Sequence, residues 1–228
     1  VVDRTLRAPC NILIGACALC DVIHQLGHFP QNWQIYLGGT LDSLSCSVIM
    51  VCGFLPVLGV AAGTMSVLCI GIDRFLSIAA PTTYRNMSTA AYLTVCFLYT
   101  FCIIIFVSLH EIDYLSRRDG ICNIPQVYHG NAIRIWTMFA FILNLTALIF
   151  YIVTWRLIRS KDNLARIFRT ILLVTIFDIG GWALTCIVVA MTNSVPRPVH
   201  KRFCYNCFAG IFVNFGVAVK CFVYYFTR

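Results

Sequence analysis

Long apolar runs separated by short polar stretches dominate the chain. Six of them lie at about Asn11–His28, Leu44–Ile70 (continuing helically through Ala79), Ala91–Leu109, Ala132–Ile158, Thr170–Thr192 and Tyr205–Phe226. A spanning helix needs roughly 20 mostly apolar residues. The strands of a membrane β-barrel are about ten residues long and alternate apolar with polar. The runs here are continuous and twice that length. The pattern therefore predicts an all-α membrane protein with six transmembrane helices. The stretches between them are too short for a soluble domain, and no internal repeat or low-complexity tract interrupts them. Residues 1–228 read as one transmembrane domain.

Composition points the same way. Of the 228 residues 60% are hydrophobic and only 11% charged, with a mean hydropathy of +0.83. A soluble domain carries about 25% charged residues, so too little polar surface is left to keep this chain in water. The net charge of +8 sits mainly between the apolar runs. It reports topology and anionic lipid headgroups, not nucleic acid. One side of the membrane receives Arg4, Arg7, Arg74, Arg85, Arg156, Arg159, Lys161, Arg166, Arg169 and Arg228. The other receives Arg117, Arg118, Arg134, Arg197, Lys201 and Arg202, with Glu111, Asp113 and Asp119 close to the first two. The first side is expected to be cytoplasmic, which puts both termini inside. The sequon-like Asn86-Met87-Ser88 then faces the cytoplasm, and Asn144-Leu145-Thr146 lies in a span, so neither is expected to carry a glycan. The first residues, Val1-Val2-Asp3-Arg4, lack Met and resemble no cleavable signal peptide, so a fragment is expected.

Thirteen cysteines, mostly inside apolar runs, act there as small hydrophobes. Cys204 and Cys207 form a C-x-x-C with His200 nearby, and Cys17 and Cys20 form another within the first span. Structural zinc takes four ligands. The outer pair is expected to be free boundary thiols or a local bridge, and the inner pair packing. His24 and His28 have metal-like i, i+4 spacing, but no third ligand is in view, and helix-end hydrogen bonding is the expectation. No metal or cofactor is expected.

The second run ends Gly71-Ile72-Asp73-Arg74-Phe75-Leu76-Ser77-Ile78-Ala79-Ala80-Pro81-Thr82-Thr83-Tyr84. An acid and a base at a membrane exit are costly unless paired or hydrated. Alone, an Asp-Arg pair can simply mark the end of a span. The longer pattern resembles the rhodopsin-like receptor signature Asp-Arg-(aromatic)-x-x-x-x-x-Pro-x-x-Tyr: Asp73, Arg74, Phe75, Pro81 and Tyr84 match in type and spacing. Asn11-Ile12-Leu13-Ile14, Asp21 with His24-Gln25-Leu26-Gly27-His28, Ile70-Gly71-Ile72-Asp73-Arg74, Gly181-Trp182 and Phe222-Val223-Tyr224-Tyr225 further resemble nematode serpentine chemoreceptors of the srsx class. The resemblance covers essentially the whole chain. On that alignment the six runs correspond to receptor helices two to seven, and the first helix is missing.

The resemblance implies a G-protein-coupled chemoreceptor, not an enzyme, whose partners are a heterotrimeric G protein, a small-molecule ligand and membrane lipid. It implies the plasma or ciliary membrane of a sensory cell. In such receptors the Asp beside the Arg holds it at rest, and the sixth helix swings outward on activation. Asp73 and Arg74 would carry these roles, with Tyr224 the aromatic switch of the last helix. The resemblance also implies a Cys46–Cys122 disulfide on the outer side. Cys46 stands about one helical turn farther from Arg74 than is usual, and Pro56 and Gly59 are candidates to absorb the difference by local distortion. Trp182 would be the toggle residue. Leu184 replaces its usual proline, leaving Gly180-Gly181 as a candidate bend.

Asp21, Asp178 and Lys220 lie deep in predicted spans, where ionisable residues are rare. The acid matching Asp21 usually binds sodium. Here Gly63 occupies the helping position on the third receptor helix, and Lys220 replaces the Asn that usually opens the last-helix motif. The expectation is that the Lys220 ammonium takes the ion's role, paired to Asp21 or to Asp178; a disabled gene copy is the alternative. A transporter or channel subunit is the rival class, but repeated halves and matching broken helices are missing. An intramembrane enzyme finds no Gly-x-Ser-x-Gly or His-Glu-x-x-His.

Overall fold

The structure, a computed structural model, describes residues 9–29, 43–115, 131–158, 162–194 and 199–226. Among the described residues the regular structure is entirely helical: α1 (Pro9–Gly27), α2 (Ser43–Ala79), α3 (Pro81–Asn86), α4 (Thr89–Leu115), α5 (Asn131–Ile158), α6 (Asp162–Ser194) and α7 (Val199–Phe226). Five helices have described stretches long and apolar enough to cross a membrane: Pro9–Gly27, Phe54–Ala79, Thr89–Phe106, Met138–Ile158 and Leu172–Thr192. In α7 the corresponding stretch, Cys207–Lys220, is shorter. The chain is a helical membrane protein, as the apolar runs predict.

The helices are longer than the runs. α6 starts at Asp162, eight residues before the predicted Thr170, because backbone hydrogen bonding continues past the apolar zone through Arg166 and Arg169. The six-residue α3 was not expected. Pro81 occupies its first turn, where a missing N–H costs nothing. The Tyr84 N–H donates to the Ala80 carbonyl at 2.9 Å, and Met87 ends the helix in an extended conformation. None of its residues is buried.

Hydrocarbon offers hydroxyl groups no partner, so several fold back onto their own helix. Ser66, Thr100, Thr146, Thr154 and Thr192 each donate to the carbonyl four residues earlier, at 2.6–3.0 Å. Large apolar side chains turn outward, among them Val95, Leu98, Tyr99 and Phe101 on α4. In water such a surface would aggregate; in lipid it is the solvated face. In α2 every residue from Ala61 to Gly71 is buried.

Packing divides the chain into two units, Val1–Val67 with Ser88–Ala140, and Leu68–Met87 with Phe141–Arg228. In the first, Val57, Ala61 and Ala140 form a small core edged by Val60, Ile103 and Phe139. There α1 meets α2 closely: a Cβ on Gly59 would lie 2.6 Å from the His24 backbone nitrogen. In the second, α6 and α7 pack together. A Cβ on Gly181 would lie 2.5 Å from the Phe212 carbonyl oxygen, and the Thr185 hydroxyl donates to the Ala209 carbonyl at 2.8 Å. Small residues that admit a neighbouring backbone are how helices associate where lipid removes the hydrophobic drive.

Candidate functional site

At the end of α2, Asp73 is fully buried. The Tyr84 hydroxyl, carried back by α3, donates to its Oδ1 at 2.8 Å. Arg74 Nε stands 3.8 Å from Oδ2 and is the more exposed partner. The stronger local contact of the carboxylate is thus the tyrosine, a charge-assisted hydrogen bond of good length, with the arginine at the outer limit of an ion pair. The Ser77 hydroxyl donates to the Arg74 carbonyl at 2.8 Å, bracing that turn. Phe75 lies against Phe150 with ring centroids 5.4 Å apart. Pro81 opens α3 and so sets the angle at which Tyr84 returns. The sequence pattern contains all five residues; the Tyr84–Asp73 bond was not foreseen. Its signal was the proline, which can start a helix directly after a break.

A second cluster lies between α6 and α7. Lys220 Nζ is 3.2 Å from Asp178 Oδ1, and both side chains are buried. Of the two partners considered for Lys220, Asp178 is within ion-pair distance. One turn on, α6 continues as helix through Gly180 and Gly181. Gly181 serves close approach to α7, whereas a Cβ on Gly180 would meet nothing within 4 Å. Trp182 is half-buried and lines a cavity of about 40 Å³ with Phe141, Asn144, Leu145, Ile179, Ala183 and Cys186. The lining is almost wholly apolar side chain, and the space holds only a few atoms, so any larger molecule there requires side-chain movement.

Asp21 is half-buried on α1, and a Cβ on Gly63 would stand 3.7 Å from its Oδ1. The residue facing this carboxylate therefore supplies no side-chain oxygen to a cation. Cys204 and Cys207 are exposed free thiols, and Cys17 is buried. Of the expected Cys46–Cys122 pair, Cys122 and the side chain of Cys46 lie outside the described residues, as does the side chain of Tyr224. Among the described residues no group of three or more His, Cys, Asp or Glu is arranged to hold a metal ion.

His24 Nδ1 lies 3.0 Å from the Pro56 carbonyl oxygen, a hydrogen bond to the interior of α2 where one at the end of its own helix was expected. The His28 ring stands edge-on to it, with centroids 4.8 Å apart.

No curated protein matches the chain. A family model does, over residues 1–228, and its description is serpentine-type seven-transmembrane GPCR chemoreceptor Srsx. An Asp-Arg at the end of a buried helix, a returning tyrosine and a set of apolar spans are in keeping with that match, and the chain belongs to the Srsx family of serpentine seven-transmembrane chemoreceptors.

Proposed function

We propose that the protein senses a small molecule from outside the cell and passes the signal to a heterotrimeric G protein by outward movement of the cytoplasmic end of α6. The reading rests chiefly on Asp73, buried without exposure and held by Tyr84, with Arg74 beside it at the end of a span. A guanidinium restrained by a neighbouring carboxylate is a group that a conformational change can release. A ligand that binds the released state better by a few kcal/mol shifts the population. The sensory cell's plasma or ciliary membrane is the expected setting, with the ends of α2 and α5 that carry Arg74 and Arg156 on the cytoplasmic side. Cys46 and Cys122 form the outer disulfide, and Trp182 and Tyr224 change conformation with α6 and α7.

Within the membrane, Lys220 supplies the positive charge that sodium supplies in related receptors. The 3.2 Å approach to Asp178 and the bare Gly63 opposite Asp21 support this. Ligand response is then insensitive to sodium. Strong sodium modulation that survives Lys220→Ala but vanishes in Asp21→Ala contradicts it.

The deciding experiment is nucleotide exchange on G proteins in membranes carrying the protein, with a panel of small odorant and metabolite molecules applied. Stimulated exchange that disappears in Arg74→Ala supports the receptor reading. Exchange that Arg74→Ala leaves intact removes the arginine from the switch, and solute flux in place of exchange moves the protein to the transporter or channel class.

A further inference from the structure

From the pair of histidines at the end of α1, we infer that His24 and His28 form a binding site for a transition-metal ion of the kind that prefers imidazole, such as Zn²⁺. Three observations of this one unit carry it. The first is tautomer. His24 Nδ1 lies 3.0 Å from the Pro56 carbonyl. A carbonyl only accepts, so Nδ1 carries the proton, and in the neutral ring Nε2 then presents a lone pair. Histidines that ligate metals are commonly oriented in this way, by donating the other ring nitrogen to a backbone carbonyl. The hydrogen bond that would seem to satisfy His24 thus also prepares it as a ligand.

The second observation is His28. Its Nε2 is buried and has no hydrogen-bond partner among the described residues. A buried polar nitrogen left without a partner is costly, and coordination removes that cost. The third is distance. With zinc–nitrogen bonds of about 2.0–2.1 Å, two imidazoles on one tetrahedral ion hold their ring centroids roughly 5 Å apart. Here the centroids are 4.8 Å apart and the planes stand at 86°. The His28 N–H donates to the Gln25 carbonyl at 3.2 Å, a tight turn that carries the second ring back over the first. No third His, Cys, Asp or Glu joins the pair among the described residues, so the site is a two-histidine one.

The test uses the purified full chain in lipid nanodiscs, with thermal unfolding followed as Zn²⁺ is added at neutral pH. Zn²⁺ is expected to raise the melting temperature by several degrees, with Mg²⁺ without effect. His28→Phe keeps a ring against His24, removes the ligand nitrogen and leaves the Pro56 bond alone. It should fold normally and weaken the zinc effect at least tenfold in concentration. His28→Cys, which restores a zinc ligand, should recover it. Co²⁺ in place of Zn²⁺ should give a spectrum without the thiolate charge-transfer band. No stabilisation in the natural sequence overturns the site, as does an equal response in His28→Phe or a thiolate band. The last two would assign the ion to the cysteines.

Discussion

Asp73 and Asp178 are both buried carboxylates, and the protein meets their charges in different ways. The partners of Asp73 are close in sequence: Arg74 is the next residue and Tyr84 comes back on the short α3. Asp178 forms an ion pair with Lys220 on another helix. The first arrangement can open by displacing a six-residue helix none of whose residues is fully buried, so the tyrosine hydrogen bond is the main cost. The second cannot open unless α6 and α7 part. The two sites thus differ in what must move before the carboxylate loses its partner: a short helix in the first, the α6–α7 seam in the second.

The largest test of this contrast is Lys220→Ala, which leaves Asp178 buried without its cation. Removing one partner of a buried pair typically costs about 3–5 kcal/mol, to be read as a lower melting temperature in nanodiscs. Asp178→Leu combined with Lys220→Met should recover most of it, because a buried pair is close to neutral against apolar groups of similar volume. If the double variant is as unstable as the single one, the pair is not what holds the seam. Tyr84→Phe comes next. It removes a hydrogen bond to a charged group, worth about 1.5–3 kcal/mol. The expected readout is raised basal nucleotide exchange with a fall in melting temperature clearly smaller than that of Lys220→Ala. A large fall in melting temperature instead would make the Asp73 cluster structural and erase the contrast.

Gly181→Ala should destabilise by about 1–3 kcal/mol, since the new methyl meets the Phe212 carbonyl and the backbones must move apart. Gly180→Ala meets nothing and should be neutral or stabilise by up to about 1 kcal/mol through helix propensity. Equal effects at the two glycines would show that the seam is loose. Smallest is Thr185→Val, which removes one interhelical hydrogen bond and should cost about 0.6 kcal/mol.

The spans were legible in the sequence because lipid demands apolar residues over a fixed thickness, and that demand is written directly into composition. Helix ends were not, since α6 keeps its hydrogen bonding through Arg166 and Arg169 where the apolar demand has lapsed. The Asp73–Tyr84 spacing could be read as a pattern, but the bond depends on how α3 turns back, and a single residue of extra turn would point the ring away. The partner of Lys220 stayed ambiguous because the spacing of charges does not give the rotation of a helix about its axis. The glycine pair shows the same gap. Two adjacent glycines read as a candidate bend, yet one meets a neighbouring backbone and the other meets nothing.

That last asymmetry reaches beyond the single molecule. Every amino-acid replacement at Gly181 adds at least one carbon where the Phe212 carbonyl already stands, while Gly180 has room. Natural populations therefore carry a record of whether the gene is in use. If it is, replacements should accumulate at codon 180 and be purged at codon 181. In a copy released from selection, the two codons should vary alike.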